Sequence, residues 1–301
     1  MNAANAYAYF PGCSLHGTAC DYGQSTEQMC ERLDIDLLEL EDWNCCGSSP
    51  AHMVNPWLAL GLVGRNLRLA AQTGLDTVVL PCAACYARFK ETQHALKDPE
   101  TAARIEYVAG GAVPSDLKIE PLLGVLGKPE IRSKLHDYQQ RSLDGLKLAP
   151  YYGCLLTRPS EVAQFDDPED PQSLDQLLKT LGAEVVNWPG KVSCCGASLP
   201  ISRPELVWRM SGQLLAWAVE AGADAIVTAC PMCHSNLDTR QGQIRRAGLG
   251  DYHLPIFYFT QVVGYALGLD ESQLGIGRHL TNAKGLLGRG VPRGAAQPVA
   301  G

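Results

Sequence analysis

The sequence predicts an α/β protein of two tandem, related domains with a pseudo-twofold relation, each a small, mostly parallel sheet flanked by helices. The main observation is an internal repeat. Three stretches of the first half are "AYAYFPGCSL" (6–15), "DLLELEDWNCCGSSP" (36–50) and "GLDTVVLPCAACYARFK" (74–90). Their counterparts are "LAPYYGCLL" (148–156), "AEVVNWPGKVSCCGASLP" (183–200) and "GADAIVTACPMCHSNLD" (222–238). Within each copy, short apolar runs alternate with helical patterns, which favours crossover connections between parallel strands.

The first elements of each copy are a strand, a helix and a second strand. An aromatic and apolar run that ends in Gly-Cys predicts the first, buried strand. The helix is predicted near residues 24–33 in the first copy and 173–181 in the second. The next apolar run leads into a Cys-Cys-Gly motif, which both copies contain.

A long helix is predicted after each Cys-Cys-Gly motif. In the first copy, Asn55 precedes Pro56, which suits a cap followed by the first helical position. In the second copy, Ser202 and Glu205 predict a capping box around Pro204.

Both long helices are predicted to end at a glycine, Gly74 or Gly222. A third strand then runs directly into a C-x-x-C motif. Because the cysteine motifs follow strands, and ligands collect at the carboxyl ends of strands in such sheets, we expect the motifs of each copy to converge.

The domain boundaries follow from this repeat. We predict a first domain over residues 1–145, with a poorly patterned linker from about residue 110, and a second domain over 146–272. Residues 273–301 contain basic side chains and no acidic ones, and are rich in Gly, Pro and Ala towards the end. They predict a flexible basic tail.

Composition limits the function. The chain has 301 residues and a formal net charge of -7, which argues against a nucleic-acid partner. No signal peptide and no apolar run long enough to span a membrane is recognised, so a cytoplasmic location is expected. Twelve cysteines in a reducing compartment favour metal binding or redox chemistry over structural disulfides.

Ten of the cysteines recur in both copies. They are Cys13, Cys45, Cys46, Cys82 and Cys85, and then Cys154, Cys194, Cys195, Cys230 and Cys233. Structural zinc and an ordinary cubane iron-sulfur cluster each take four ligands, so five thiolates indicate a larger or distorted cluster. Neighbouring cysteines would then bind different metal atoms.

Other interpretations explain less of the pattern. Two zinc sites built from the C-x-x-C motifs would need ligands that lie far apart in sequence. Dithiol exchange at Cys82 and Cys85 would leave the other paired cysteines without a role. Cys20 and Cys30 have no counterpart in the second copy and are predicted to be packing residues.

The cysteine pattern resembles the duplicated, cysteine-rich CCG domain of the B subunits of heterodisulfide reductases. The resemblance extends to about residue 270 and includes "YYGCLLTRP" (151–159) and "PIFYFTQVVGYALGL" (255–269). It implies two noncubane [4Fe-4S] clusters, each bound by the five cysteines of one copy. It further implies that an organic disulfide or sulfur carrier is split between the two clusters, with electrons from flavin-containing and ferredoxin-type subunits.

Several polar residues near the motifs are candidate catalytic groups. His16 and Arg158 follow the first cysteine of each copy, and His52 and His234 lie just beyond other cysteine motifs. Such side chains could hold an anionic substrate or protonate a leaving thiolate. The alternative is that they satisfy loop carbonyls or cap helices. Trp43 and Trp188 are expected to shield the clusters from water.

Similar CCG pairs also occur in unusual succinate dehydrogenases and fumarate reductases. This resemblance gives an alternative function, an iron-sulfur electron relay and quinone-contacting anchor. The apolar stretch 255–269 and the basic tail would then contact the membrane; otherwise they form a core helix and a partner surface. Any membrane contact is expected only at the periphery. A purely structural zinc protein is the third alternative.

Overall fold

The computed structural model describes residues 5–48 and 51–289, and it contains two four-stranded parallel sheets. The elements of the first half are β1 (Ala6–Tyr9), α1 (Cys20–Arg32), β2 (Asp36–Glu39), α2 (Ala51–Val54), α3 (Pro56–Gln72), β3 (Thr77–Leu80), α4 (Ala83–Ala95), α5 (Pro99–Ala109), β4 (Lys118–Pro121), α6 (Leu122–Leu126) and α7 (Pro129–Tyr138). The predicted α/β fold is confirmed.

The second half repeats this arrangement. Its elements are β5 (Lys147–Tyr151), α8 (Ser160–Ala163), α9 (Ser173–Thr180), β6 (Glu184–Val185), α10 (Pro204–Glu220), β7 (Ala225–Thr228), α11 (Pro231–Thr239), α12 (Gln241–Arg246), β8 (Ile256–Tyr258) and α13 (Phe259–Ala266), followed by 3-10 helices at Ile276–Arg278 and Leu287–Arg289. The sheet orders are β2-β1-β3-β4 and β6-β5-β7-β8, and every pairing is parallel.

Strand order determines where loops can meet. In each sheet the first strand lies between the second and the third, so the chain crosses over to opposite sides of it. The crevice at such a reversal lies outside the carboxyl ends of the strands. The loops after β1, β2 and β3, and those after β5, β6 and β7, therefore meet at one edge of their sheet.

The two domains pack through equivalent elements. Helix α1 of the first domain packs against α13 of the second, and α6 packs against α9. In the repeat, α1 of the first copy corresponds to α9 of the second, and α6 corresponds to α13. A twofold rotation that exchanges the two domains therefore also exchanges these two helix contacts, as in an isologous dimer. Buried apolar side chains from both halves form one continuous core.

The poorly patterned region after residue 110 belongs to the first domain. It supplies β4, which pairs with β3, and then α6 and α7. The expectation of a linker was wrong here because these elements are short and contain Pro121 and Gly124, which interrupt the apolar pattern. The predicted boundary near residue 145 falls between α7 and β5.

The flexible tail is also corrected in part. Residues 273–289 lie against the second domain, with Leu274, Ile276 and Leu287 buried. The carboxylate of Asp238 accepts hydrogen bonds from the backbone amides of Leu280 and Thr281, at 2.8 and 2.9 Å. Such irregularly spaced contacts give no helical or strand period in sequence. Residues 290–301 lie outside the described part of the chain.

The stretch 255–269 is a core element. Phe257 and Phe259 are fully buried, as are Val262 and Val263. Of the two interpretations of this stretch, the core helix fits and the membrane contact does not. Within residues 5–48 and 51–289, no helix is both long and apolar enough to cross a membrane.

The two long helices begin differently. The Asn55 side chain accepts hydrogen bonds from the backbone amides of Trp57 and Leu58, at 3.0 and 3.2 Å, so the predicted cap of α3 is confirmed. In the second copy the residue before α10 is Arg203, which makes no side-chain cap. The predicted capping box at Ser202 is therefore wrong, because the helix begins one residue later than that motif requires.

We predict that Asn55→Ala lowers the free energy of unfolding by about 1 kcal/mol, because two amides of α3 lose their acceptor. Ser202→Ala is the matched control and should leave stability unchanged. Urea denaturation of both variants measures the difference. An equal loss in the two variants would contradict the assigned caps.

Candidate functional site

The paired cysteines gather at the carboxyl ends of the strands in both domains. In the first domain the Sγ atoms of Cys13 and Cys45 lie 3.7 Å apart, and those of Cys46 and Cys85 lie 3.3 Å apart. Cys82 completes the set, since it and Cys85 lie close enough to shift each other's pKa. These five thiols form a connected group, which we call the first thiol site.

The second thiol site has the same construction. The Sγ atoms of Cys195 and Cys233 lie 3.5 Å apart. Cys194 raises the pKa of Cys154, and Cys233 lowers the pKa of Cys230, so these thiols also lie close together. All twelve cysteines of the chain are free thiols. The structure thus brings together the five cysteines that the sequence groups in each copy.

The two thiol sites meet at the domain interface. Cys82 and Cys230 lie close enough to shift each other's ionisation: Cys230 raises the pKa of Cys82, and Cys233 and then Cys82 lower the pKa of Cys230. These residues are the first cysteines of the two C-x-x-C motifs, so equivalent positions lie close together, as expected near a twofold axis. The interface side of each site is buried, whereas Cys13 and Cys194 are exposed.

The close packing of the thiols shifts their pKa values in opposite directions. In the first site, hydrogen bonds from Cys13 and then Cys46, together with the amide of Gly47, lower the pKa of Cys45 to about 2. The hydrogen bond with Cys45 in turn raises the pKa of Cys46 to about 12. Five adjacent thiols cannot all carry a negative charge, so protons are shared among them until a cation replaces them.

The second site has a similar distribution of charge. The hydrogen bond from Cys154, helped by the amides of Gly196 and Ala197, lowers the pKa of Cys194 to about 6. Hydrogen bonds from Cys233 and Cys82 hold the pKa of Cys230 well below its usual range. Cys230 also lies at the N-terminus of α11, where the helix dipole favours a thiolate.

A glycine precedes the first cysteine of each site because the backbone passes close to a thiol there. A Cβ atom on Gly12 would lie 2.9 Å from the Sγ of Cys85, and one on Gly153 would lie 3.2 Å from that of Cys233. Both glycines also have positive φ, of 76° and 67°. Sequence reasoning missed this role, although the Gly-Cys pair was visible in both copies.

The Cys-Cys-Gly motifs are held differently in the two domains. In the first, the buried side chain of Asn66 accepts from the backbone amide of Asn44 at 3.0 Å and donates to its carbonyl at 2.7 Å. In the second, the amide of Asn236 donates to the carbonyl of Cys195 at 3.2 Å and lies 3.7 Å from its Sγ. The repeat keeps the thiols but not the side chains that position them.

The predicted catalytic residues are held by separate partners. The Nε2 of His16 lies 3.1 Å from Glu39, and its exposed ring packs against Trp43. Arg158 donates to the carbonyl of Pro168 at 2.8 Å and pairs with Glu169 at 3.0 Å. These contacts match the alternative that they satisfy groups of neighbouring loops. Their catalytic roles stay predictions.

Of the remaining polar candidates, His234 lies inside the protein and His52 is partly buried. His234 is buried, and its Nε2 bonds the carbonyl of Ile256 at 3.0 Å. Burial and the neighbouring His279 lower the pKa of His234 to about 4, so its imidazole is neutral at pH 7. Nδ1 of His52 is buried without a hydrogen-bond partner. A catalytic role for His234 stays a prediction.

The two tryptophans, and Cys30 of the two cysteines that have no counterpart in the other copy, are packing residues. Trp188 is buried and donates to the carbonyl of Pro150 at 2.9 Å, and Trp43 donates to Glu39 at 2.8 Å. Cys30 is buried in the core, as predicted. Cys20 is only partly buried and contacts Arg278 of the C-terminal segment.

Comparison with known proteins agrees with this architecture. The cysteine-rich domain family, CCG, matches residues 7–90 and 148–238. The chain belongs to this family. The two matches coincide with the two thiol sites and with the repeat that the sequence reveals.

Relatives with similar domains carry two kinds of name. The chain is 31% identical to the B subunit of the ferredoxin:CoB-CoM heterodisulfide reductase of Methanosarcina mazei, over 90% of this chain and 92% of that protein. It is 30% identical to the 8-methylmenaquinol:fumarate reductase membrane anchor subunit of Wolinella succinogenes, over 92% of this chain and 97% of that protein. The resemblance to the B subunits of heterodisulfide reductases is confirmed.

A solved structure supports the fold alone. The crystal structure of a hypothetical protein from Helicobacter pylori matches 93% of this chain with a TM-score of 0.73 and 13% sequence identity. The chain spans about half of that protein, 52% of its length.

The thiol sites fit iron-sulfur clusters in their donor set. Iron-sulfur clusters are bound by cysteine thiolates, and the glycine before each first cysteine leaves room beside the sulfurs. The amides of Gly47 and Gly196 lie 3.5 and 3.3 Å from the sulfurs of Cys45 and Cys194, where they stabilise negative charge. The family and its relatives suggest the same cofactor.

We predict that Gly12→Ala removes iron from the first thiol site only. Its new methyl group would meet the sulfur of Cys85. Gly74→Ala is a matched control, since Gly74 has almost the same φ, 74°, and nothing lies within 4 Å of its added Cβ. Both variants should lose about 1 kcal/mol of stability from the positive φ. Iron analysis separates them, and equal iron contents would show that the sulfur contact is unimportant.

Proposed function

We propose that the chain is the catalytic subunit of a heterodisulfide reductase-like complex and holds two noncubane [4Fe-4S] clusters. The observation that carries this proposal is the proximity of Cys82 and Cys230, which places two five-thiol sites side by side across one interface. Two equivalent redox centres side by side suit a substrate with two similar ends. The relatives that are named as B subunits of heterodisulfide reductases support the same reaction class.

The reaction is the reduction of an organic disulfide or sulfur-carrier bond. One disulfide takes up two electrons and two protons and gives two thiols, as the sulfur-sulfur bond breaks. When bound, an iron-sulfur cluster supplies single electrons and iron that can bind sulfur. The electrons would come from flavin-containing and ferredoxin-type subunits, and the same chemistry in reverse would form the disulfide.

The chain itself contributes ligands, hydrogen bonds and exclusion of water. Each site has three buried thiols, and Tyr151, which packs against Trp188, lies beside those of the second site. Asn236 donates towards the sulfur of Cys195 and would stabilise the more negative, reduced state. His16, Arg158 and His234 are proposed to bind an anionic substrate or to transfer protons.

We predict that Cys195→Ser disturbs the cluster of the second site, leaves that of the first, and abolishes disulfide turnover. Cys30→Ser is the control, because Cys30 is a buried packing residue outside both sites. The measurement is EPR spectroscopy and disulfide turnover of the reconstituted complex. Full activity of Cys195→Ser would contradict the five-ligand assignment.

A metal analysis separates this function from a structural zinc protein. Two clusters of four irons require about eight iron atoms and as many sulfides per chain. The anaerobically purified protein should therefore be brown. Zinc in both thiol sites, with little iron or sulfide, would overturn the proposed function.

Exposed apolar side chains favour a second candidate function, an electron-relay anchor that contacts a lipid surface. Met53 and Ile201 occupy equivalent positions, three residues before the prolines that start α3 and α10. Their side chains are 77% and 97% exposed, and Val54 beside Met53 is 79% exposed. Both copies thus present a large apolar group after the Cys-Cys-Gly motif, and one relative is named a membrane anchor subunit. A cytoplasmic location is proposed with either function.

For this candidate we predict that the chain floats with liposomes and that Met53→Gln combined with Ile201→Gln reduces flotation. Leu280→Gln is the matched control, since Leu280 is also an exposed apolar residue, at 73%, but lies in the C-terminal segment. Absence of flotation at low salt would remove the anchor function.

A further inference from the structure

A second group of metal-binding side chains lies at the domain interface, apart from the cysteines. Asp21 from α1, His234 from α11 and His279 from the C-terminal segment each place one ligand atom within 4.8 Å of the others. The Oδ2 of Asp21 and the Nε2 of His279 are 3.3 Å apart, and these side chains are 8% and 1% exposed. Three separate parts of the chain therefore meet here.

The spacing suits one tetrahedral ion. Zinc binds imidazole nitrogen and carboxylate oxygen at about 2.0–2.1 Å, so two of its ligands lie about 3.4 Å apart. The pair formed by Asp21 and His279 has this separation. His234 donates Nε2–H to the carbonyl of Ile256, the arrangement that orients a metal-binding imidazole.

Hydrogen bonding leaves the imidazole of His279 unsatisfied. The side-chain oxygen of Gln261 accepts from the amide of Tyr258, so its NH₂ group faces Nε2 of His279 at 2.9 Å. If Nε2 accepts a hydrogen bond from this NH₂ group, its lone pair also faces the carboxylate of Asp21, which is another acceptor. If Nε2 carries the proton instead, its N–H faces the NH₂ group, which is another donor. Nδ1 of His279 is buried and has no hydrogen-bond partner. A metal ion bound at Nε2 would leave the proton on this nitrogen.

The other half of the molecule has no equivalent set among its described residues at this position. The residue after the second cysteine of the first C-x-x-C motif is Tyr86, where the second copy has His234. The hydroxyl of Tyr86 donates to the carbonyl of Ala163 at 2.5 Å, which satisfies it. The histidine cluster is thus a feature of one side of the interface and does not follow from the repeat.

We propose that Asp21, His234 and His279 bind one divalent transition-metal ion of the zinc type, which ties the C-terminal segment to both domains. Two imidazoles and one carboxylate suit zinc and its neighbours, whereas magnesium and calcium prefer oxygen ligands throughout. Water would fill the fourth position. The site contains no thiol, and His234 is the one residue that it shares with those proposed for the disulfide chemistry; a metal-bound His234 would position the neighbouring Cys233 and would not transfer protons.

The test adds one equivalent of Zn²⁺ to the iron-loaded chain, removes unbound metal, and measures zinc, iron and the zinc X-ray absorption spectrum. The wild-type protein should retain one zinc with nitrogen and oxygen neighbours at about 2.0–2.1 Å. His279→Gln should lose this zinc and keep its iron. His253→Gln is the matched control, because His253 also lies 3.3 Å from a carboxylate, that of Asp251, but both are exposed.

Several results would overturn the site. One is that His279→Gln retains as much zinc as the wild type. Another is a wild-type spectrum with sulfur neighbours at about 2.3 Å, which would place the zinc on thiols. The third is that the wild type retains no zinc, which would leave Asp21 and His279 as an ion pair only. If His279→Gln fails to fold, Asp21→Asn provides the same comparison. Zinc should also slow hydrogen exchange in residues 273–289. Unchanged exchange with zinc bound would contradict the claim that the ion holds the C-terminal segment against the two domains.

Iron content distinguishes this proposal from the proposed function. A protein that binds zinc at Asp21, His234 and His279 but contains no iron would support the zinc site and contradict the proposed disulfide chemistry. Iron in both thiol sites without zinc at these three residues would support the proposed function and contradict the zinc site.

Discussion

The crowding of five thiols at one sheet edge is the constraint on which the rest of the structure depends. Thiolates at such short separations repel one another, so their protons are shared or a cation replaces them. Parallel strands deliver the cysteines to the same edge, and Gly12 and Gly153 let the backbone pass beside the sulfurs. The order β2-β1-β3-β4 is what makes these loops converge.

Duplication turns one such site into two that lie side by side. The helix pairs α1 with α13 and α6 with α9 set the domains around a twofold axis, and Cys82 and Cys230 meet close to it. The supporting side chains then diverged. Asn66 holds one Cys-Cys-Gly motif and Asn236 the other, and the position of Tyr86 became His234 in the second copy. The thiols recur in both copies, whereas the side chains that support them need only provide some hydrogen bond.

The sequence predicted the features that recur or have a local signature. The ten paired cysteines, the α/β repeat and the Asn55 cap are visible in short stretches. Features formed by distant contacts could not be predicted in the same way. The C-terminal segment packs through scattered apolar residues and through Asp238, and β4 belongs to a sheet whose pairing no local pattern reveals. Asp21 and His279 lie far apart in sequence and meet only because α1 packs against α13.

The central claim is that two iron-sulfur sites lie side by side at the interface. The most direct measurement is EPR spectroscopy of the iron-loaded chain after one-electron and two-electron reduction. Because Cys82 and Cys230 lie close enough to shift each other's pKa, we expect magnetic coupling between two reduced clusters in the two-electron state. Two uncoupled signals, or a signal from one cluster alone, would contradict it.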